Sequence, residues 1–256
     1  DGDDKVDLAV AVGESRQILF FKNVSTPGTI IFNALVGTNT THRPQGLQTA
    51  DLNGDGKLDL VTVNPEDNSV SVLLGMGNGT FQAPTDYAVG SNPLDVAIGD
   101  VDGVNGPDLV VGSFDRRVGV LLNNGNGIFG PLTSFDTHVN HTYGLYLADF
   151  DGDGTLDIIA AGGDLCTDQS GNAVTSSCMV FLKGQGNGSF AVPSDQNLTA
   201  LDSIPIRRFT ENVAPDLNGD GKPEVVFVLL QPGGFGKSQV MVGLSRGDGT
   251  FYVSYW

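Results

Sequence analysis

Oxygen-bearing side chains recur at a regular spacing within residues 51–59. Asp51, Asn53, Asp55 and Asp59 occupy the first, third, fifth and ninth positions of this stretch, and the backbone carbonyl of Lys57 can supply a ligand at the seventh. Carboxylates this close together repel one another unless a cation gathers them, and calcium accepts about six to eight oxygen ligands in flexible geometry. The stretch therefore predicts a calcium-binding loop.

The residues after the loop distinguish it from an EF-hand, which needs a bidentate glutamate at the twelfth position and flanking helices. Asp59 leads directly into residues 60–63, a β-branched run that favours a strand. We therefore expect the loop to join two strands.

Two further copies of the loop keep an oxygen ligand at every position. One copy contains Asp149, Asp151, Asp153, Thr155 and Asp157, and the other contains Asp216, Asn218, Asp220, Lys222 and Glu224. Three intact calcium sites are therefore predicted, with the seventh ligand again a backbone carbonyl.

Two degenerate copies raise the possible number of sites to five. The copy with Asp100, Asp102 and Asp108 has Val104 at the fifth position, so we expect weak or no metal binding there unless Asn105 substitutes. The other copy aligns only from the third position onward and contains Asp1, Asp3, Lys5 and Asp7. The sequence therefore opens inside a repeat.

One order of β elements separates these loops, and residues 47–94 show it most clearly. The pattern predicts strands over 47–51, 59–63 and 69–74, a turn over 65–68, and a fourth strand that begins at Thr80 and contains Pro84. Proline cannot donate to a β ladder, so Pro84 marks that strand as an edge. Four antiparallel strands in this order describe one blade of a β-propeller.

The order recurs in five units, at about 1–46, 47–94, 95–144, 145–206 and 207–256, and the first unit lacks its innermost strand. We therefore predict an all-β fold, a single calcium-binding β-propeller domain of four-stranded antiparallel blades.

The acidic loop is paired with a downstream glycine-rich segment that ends in phenylalanine, at residues 77–81, 125–129, 186–190 and 247–251. This pairing resembles the FG-GAP (VCBS) repeat of integrin alpha-chain β-propellers and their bacterial and fungal relatives. The resemblance covers essentially the whole chain and departs from the family at Val104, in the truncated first loop and in blade number. Because the family commonly closes with about seven blades, five units imply either a smaller propeller or a piece of a larger one.

Charge and hydropathy exclude several classes of protein. The 256 residues have 13 basic and 30 acidic side chains and a net charge of -17, whereas binding to nucleic acid needs clustered Lys and Arg. No apolar run approaches the roughly 18 to 20 residues that cross a bilayer, so membrane insertion is not expected.

The two loop faces of the predicted propeller differ in composition. The acidic loops and glycine-rich turns lie on one face, and six of the seven arginines lie in loops of the other. The resemblance points to that second face, because integrin-like propellers are understood to engage ligands opposite their calcium loops. The candidate ligand-binding residues are Arg43, Arg116, Arg117, His138, His141, Tyr143, Arg207 and Arg208. The alternative is that the arginines are ordinary solvated loop residues and the histidines ordinary polar groups.

No common catalytic motif is present: the sequence has no G-x-S-x-G, H-E-x-x-H or P-loop segment. Bound calcium would also disable the loop aspartates as general acids. We therefore expect a secreted or cell-surface recognition or adhesion module that binds a protein or a glycan and is not an enzyme. The alternative is a polysaccharide lyase or the propeller domain of a carbohydrate-active enzyme, because some polysaccharide lyases are similar in using calcium-loaded propellers.

Cys166 and Cys178 are the only cysteines and flank a polar stretch. An extracellular location favours a disulfide between them. The alternative is two free thiols that never meet.

Overall fold

The computed structural model describes residues 2–34, 37–167, 173–191, 199–200, 216–229, 239–246 and 251–255. These residues form antiparallel β-sheets, with two 3-10 helical turns at Gly13–Ser15 and Pro65–Asp67. None of them belongs to a helix that is long and apolar enough to cross a membrane.

Five sheets follow one another along the chain. The first contains β1 (Leu8–Val12), β2 (Gln17–Asn23), β3 (Phe32–Ala34) and β4 (Thr38–Asn39). The second contains β5 (Gln45–Ala50), β6 (Asp59–Asn64), β7 (Ser69–Leu73) and β8 (Thr85–Ala88), and the third contains β9 (Pro93–Gly99), β10 (Asp108–Ser113), β11 (Arg117–Leu121) and β12 (Thr133–Asp136). The fourth contains β13 (Thr142–Ala148), β14 (Asp157–Thr167), β15 (Ala173–Gly184), β16 (Phe190–Ala191) and β17 (Thr199–Ala200), and the fifth contains β18 (Val225–Leu229), β19 (Gln239–Ser245) and β20 (Phe251–Tyr255).

In the second and third sheets, each strand pairs with the next one in sequence. In the first sheet β1 pairs with β2, and no described residues pair with the other edge of β1. β1 corresponds to β6, the second strand of its sheet, because both follow an acidic loop. The first unit therefore lacks its innermost strand in the described part of the chain.

The fourth strand of the second sheet lies farther along the chain than the sequence pattern predicts. β8 begins after Pro84, and the predicted start at Thr80 is wrong. Residues 75–83 form a compact loop instead, in which the N–H of Gln82 donates to the Leu74 carbonyl at 2.8 Å. Because Pro84 has no N–H to donate, the ladder with β7 forms only beyond it. β8 is nevertheless an edge strand, as predicted.

The middle strands of the second and third sheets are buried on both faces because each of these sheets packs between two others. Every residue of β6, β7 and β10 is buried, which explains their β-branched runs. Successive residues of β6 pack in opposite directions: Leu60 packs with Ile18 of the first sheet, and Val61 packs with Leu109 of the third. The third and fourth sheets share a core in the same way.

In three of the glycine-rich segments, the phenylalanine at the end packs on an aromatic ring of the preceding sheet. The pairs are Phe81 with Phe20, Phe129 with Tyr87, and Phe190 with Phe135, at centroid distances of 4.5, 5.5 and 5.5 Å. The repeated segment therefore joins successive sheets. Together with this stacking in chain order, the antiparallel sheets confirm an all-β propeller fold.

The two cysteines lie on β14 and β15, which form a long hairpin. The ladder places Cys166 opposite Thr175 and Cys178 opposite Gly162, so the cysteines are not directly cross-strand partners. Their side chains lie outside the described part of the structure, and the disulfide stays a prediction.

Candidate metal loops and the opposite face

The acidic loops lie where the sequence predicts, between the first and second strands of a sheet. Residues 51–58 join β5 to β6, residues 100–107 join β9 to β10, and residues 149–156 join β13 to β14. The truncated copy precedes β1, and the copy that begins at Asp216 precedes β18. Antiparallel connectivity places the three connecting loops at the same end of their sheets.

The first-position aspartate organises each intact loop. Asp51 Oδ1 accepts a hydrogen bond from the N–H of Gly54, and its Oδ2 accepts one from the N–H of Gly56, both at 2.8 Å. These glycines have φ values of 73° and 79°, a conformation that residues with a side chain rarely adopt. Asp149 and Asp216 accept bonds from their own glycines in the same pattern. The loop backbone is therefore curled around one carboxylate.

Carboxylate oxygens converge in three of the loops, with ligand atoms within 4.8 Å of one another. The groups are Asp149, Asp151 and Asp153; Asp216, Asp220 and Glu224; and Asp100, Asp102 and Asp108. Acidic clusters that could bind a metal ion are therefore present. Hard carboxylate oxygens on a flexible loop are the donors that calcium prefers, so these residues fit that ion.

In chain order the acidic loops are the truncated first loop (1–7), the second (51–59), the third (100–108), the fourth (149–157) and the fifth (216–224). The degenerate third loop gathers its three aspartates despite Val104, which is 54% exposed. The predicted substitute, Asn105, has its side chain beside Gly125 in the turn between the third and fourth strands. The N–H of Val104 donates to Asp102 Oδ1 at 2.9 Å, which keeps the loop's shape. The loop therefore retains its fold with one side-chain ligand fewer.

The ninth-position carboxylate has a second structural contact that the sequence pattern did not reveal. Asp59 is fully buried, and its two oxygens accept hydrogen bonds from the N–H of Leu52 at 2.9 Å and of Gly75 at 2.7 Å. Gly75 belongs to the turn that follows β7, so Asp59 ties the acidic loop to that turn. A side chain at Gly75 would bring its Cβ to 2.1 Å from the Leu58 carbonyl oxygen, which explains the glycine.

The ninth-position carboxylate makes the same two hydrogen bonds in the next two sheets, and we call this arrangement the latch. Asp108 accepts from the N–H of Val101 and of Asn123, both at 2.8 Å. Asp157 accepts from the N–H of Phe150 at 2.9 Å and of Gly184 at 2.8 Å. Burial raises the pKa of both carboxyl groups to about 6, against the opposing effect of these hydrogen bonds.

Glu224 is buried at the equivalent position of the last loop, where its Oε2 accepts from the N–H of Leu217 at 2.6 Å. In the truncated first copy, Asp7 Oδ1 accepts from the N–H of Asn23 at 2.8 Å. The contact is therefore shared by intact and degenerate loops, which indicates a role that does not depend on metal.

Lysine side chains lie against the acidic groups of three loops: Lys22 contacts Asp3, Lys57 contacts Asp55, and Lys183 contacts Asp153. Lys183 Nζ contacts both Asp151 and Asp153, the latter at 2.8 Å. The hydrogen bond from Lys183 is the largest cause that lowers the pKa of Asp153, to about 2. Lys57 Nζ lies 3.0 Å from Asp55 Oδ2 and lowers the pKa of that carboxyl group.

On the opposite face, Arg43 forms ion pairs between sheets. Its guanidinium contacts Glu14 of the first unit and Glu66 of the second, the latter at 2.6 Å. Arg43 therefore joins two neighbouring loops. Arg117 is exposed at the start of β11, and Arg207 and Arg208 lie outside the described residues.

The structure places four of the predicted ligand-binding residues in two contacting pairs between the third and fourth sheets. Arg116 Nη2 lies 3.1 Å from His138 Nδ1, and the His141 ring lies 5.8 Å from the Tyr143 ring. Phe114, which the sequence pattern did not single out, packs its ring 3.7 Å from His141 and stays 45% exposed. We call these five residues the aromatic cluster.

Topology places the aromatic cluster at the end of the sheets away from the acidic loops. Phe114 follows the last residue of β10, a strand that starts at Asp108, and Tyr143 is the second residue of β13, a strand that ends before Asp149. The signal that could have identified Phe114 from sequence is an aromatic residue just after a short apolar run, in the predicted second-to-third-strand turn that also contains Arg116.

Comparison with solved structures gives a likeness in fold. An Agrocybe aegerita lectin, described as recognising non-reducing terminal N-acetylglucosamine, is 22% identical, and the match covers 97% of this chain and 65% of that chain with a TM-score of 0.50. This chain therefore spans about 65% of the lectin's length.

Two other solved structures match with lower TM-scores. The Tc holotoxin pore of Photorhabdus luminescens is 20% identical over 97% of this chain and 12% of that chain, with a TM-score of 0.37. The V. cholerae biofilm matrix protein Bap1 is 17% identical over 84% of this chain and 39% of that chain, with a TM-score of 0.33. Comparison with curated proteins gives no match.

The sequence pattern of the FG-GAP-like repeat matches residues 1–62, 51–103 and 105–160, which together make up more than half of the chain. These matches contain the acidic loops that begin at Asp1, Asp51 and Asp149, and the loop that begins at Asp100 spans the break between the second and third matches. The chain therefore belongs to the FG-GAP-like repeat family.

Proposed function

We propose that this protein is a calcium-stabilised β-propeller that recognises a protein or a glycan through the face opposite its acidic loops and catalyses no reaction. The main support for ligand recognition on that face is the aromatic cluster. The convergence of the loop carboxylates supports the calcium part.

In the intact loops, carboxylate and amide side chains and the seventh-position carbonyl would hold the ion. Bound calcium would supply positive charge that offsets the repulsion among the carboxylates. Asp51, Asp149 and Asp216 already curl their loops through backbone N–H groups. Ion binding would therefore act on a loop whose shape is largely formed, and it would stabilise the folded state by mass action.

The aromatic cluster has the chemistry of a recognition site. The exposed ring of Phe114 offers an apolar surface to the C–H groups of a sugar or to an apolar side chain, while Arg116 offers hydrogen-bond donors to an acidic or hydroxyl group. Tyr and Arg are also the residues in which binding energy is concentrated at protein interfaces. The lectin of similar fold is described as recognising a sugar, which agrees with a glycan ligand.

A secreted or cell-surface location with an adhesive role completes the proposal. Extracellular calcium modules bind the ion at about 0.1 to 1 mM, so such a propeller would be loaded outside the cell and much less so within it. This location also agrees with the predicted disulfide between Cys166 and Cys178.

The experiment is a glycan array together with a pull-down of candidate proteins, using the wild-type protein in calcium. We expect at least one reproducible ligand whose binding falls about tenfold or more in Phe114→Ala and in the double variant Arg116→Ala/Arg117→Ala. Ile128→Ala is the matched control, because Ile128 is a large apolar residue, 57% exposed, in a glycine-rich turn at the acidic-loop end. Binding that is unaffected by Phe114→Ala but lost in Ile128→Ala would place recognition on the acidic-loop face and contradict the proposal.

A polysaccharide lyase is the second candidate, because the aromatic cluster brings an arginine, histidines and a tyrosine together. An arginine could neutralise a uronate carboxylate, and a histidine or tyrosine could take a proton from the adjacent carbon. Mixing the protein with uronic acid polymers would then produce an unsaturated product that absorbs ultraviolet light. Such absorbance, if lost in His141→Ala, would replace the binding proposal with an enzymatic one.

A further inference from the structure

Lys183 lies where a cation is expected in the fourth acidic loop. It is the next-to-last residue of β15, and the N–H of its neighbour Gly184 is held by Asp157 at 2.8 Å. From this anchored position the side chain reaches across to the loop, where Nζ contacts Asp151 and Asp153. These are two of the three carboxylates that converge in that loop.

The fold does not require a lysine at this position. The residue that precedes the latched N–H is Leu74 in the second sheet and Leu122 in the third. Both leucines pack on a glycine of the next sheet's turn, Gly127 and Gly188 respectively. The ammonium in the fourth sheet therefore replaces an apolar contact with a charged one.

A second lysine repeats the arrangement in the first sheet. Lys22 precedes Asn23, whose N–H is bonded to Asp7, so Lys22 is the equivalent of Lys183. Its Nζ lies 3.1 Å from Asp3 Oδ2, and Asp3 stands at the loop position of Asp153. The same contact in two sheets indicates that a lysine at this position is directed onto the acidic loop.

The ammonium and a calcium ion would compete for the same oxygens. Calcium lies about 2.3–2.6 Å from its ligands, so an ion on Asp151 and Asp153 would stand within about 5 Å of Lys183 Nζ if the lysine stayed in place. Two positive charges at that distance repel, and each contact to a shared carboxylate would weaken. Lys183 Nζ would therefore have to leave Asp151 and Asp153 for an ion to bind there.

We propose that Lys183 is an internal cation of the fourth loop, which holds Asp151 and Asp153 together without calcium and is displaced when calcium binds. This inference rests on the proposed calcium function. It follows that the fourth loop binds calcium more weakly than its ligand set alone would allow, and that the fourth loop keeps part of its stability when calcium is removed.

Calcium titration followed by amide NMR tests this loop by loop in one sample. The amides of Gly152 and Gly154 report on the fourth loop, and those of Gly54 and Gly56 report on the second as an internal reference. Lys183→Met keeps the length of the side chain and removes its charge. We expect it to lower the calcium dissociation constant of the fourth loop by about three- to tenfold, the effect of losing two exposed ion pairs, and to leave the second loop unchanged.

Thermal melting gives a signature that a merely structural lysine would not produce. In chelator, Lys183→Met should melt about 2–4 °C below wild type, because Asp151 and Asp153 lose their cation. In saturating calcium it should melt no lower than wild type, because the ion has replaced the lysine. Equal loss in both conditions would show that Lys183 only packs, and would overturn the inference.

Arg16→Met is the matched control for net charge, because Arg16 lies between β1 and β2, at the end of the sheet away from the acidic loop, where its Nη1 donates to the Thr41 carbonyl at 3.4 Å. We expect it to leave the curves of Gly152 and Gly154 unchanged. If Gly54 and Gly56 respond to calcium while Lys183→Met leaves the fourth loop's curve at its wild-type position, the internal-cation inference fails alone. If no loop responds to calcium, both this inference and the proposed calcium function fail.

Discussion

Asp157→Ala, measured in chelator, tests the latch apart from metal binding. Asp157 is completely buried and is the acceptor for the N–H groups of Phe150 and Gly184. Alanine leaves both donors buried without this acceptor, at a cost of roughly 1–3 kcal/mol each and about 2–6 kcal/mol in all. Removing a buried carboxylate also relieves its desolvation, which the raised pKa of Asp157 reflects.

We therefore expect Asp157→Ala to lower the free energy of unfolding by about 2–4 kcal/mol, which corresponds to roughly 5–15 °C in melting temperature for a chain of this size. The assay is urea unfolding in chelator and again in calcium. Because the latch does not need an ion, the loss should already appear in chelator, and in calcium the loss of a ninth-position ligand should add to it.

Asp153→Ala is the matched control within the same loop. Asp153 is partly exposed, and its contacts are with Thr155 and Lys183 on the loop surface. In chelator it should cost less than about 1 kcal/mol, whereas in calcium it should cost more because a ligand is lost. If Asp157→Ala costs no more than Asp153→Ala in chelator, the latch does not stabilise the fold and the reasoning is wrong.

Four further results are expected. Chelation should lower the melting temperature by many degrees and magnesium should restore little of the loss, because magnesium prefers rigid octahedral sites; indifference to chelator would exclude a structural ion. Val104→Ala should reduce the calcium-dependent gain in melting temperature less than Asp153→Ala, and equal reductions would contradict the ranking of intact over degenerate loops. Phe129→Ala should cost about 3–5 kcal/mol in urea unfolding because that ring is buried between sheets, and a loss below about 1 kcal/mol would refute its anchoring role. In chelator, carboxyl NMR should show Asp108 and Asp157 titrating near pH 6; because their folded pKa is raised, their contribution to stability is fully present below about pH 4 and is lost as pH rises through about 6, and midpoints near 4 would contradict it.

The repeated loop and the strand order could be predicted because both depend on residues that are close together in sequence. The spacing of Asp51, Asn53 and Asp55 fixes which oxygens meet, and the glycines between them permit the curl that the structure shows. The β-branched run after Asp59 predicted a strand that is buried on both faces.

The predicted start of the fourth strand of the second sheet, at Thr80, is wrong because the strand-like composition there is overridden by a contact with the preceding sheet. Thr80 and Phe81 have the composition of a strand, but Phe81 is directed onto Phe20 of the preceding sheet. The chain reaches its ladder only after Pro84. A contact between sheets therefore decided where the strand begins.

The sequence alone determined the acidic loops, the all-β blades and the family, because ligand spacing and strand period are properties of contiguous residues. The tertiary structure alone decided that Asp59 latches a turn sixteen residues later, that Lys183 lies on the loop carboxylates, and that Phe114 meets His141. These contacts join segments whose separation in space depends on how strands pair and sheets stack, and no local spacing in the chain specifies that distance.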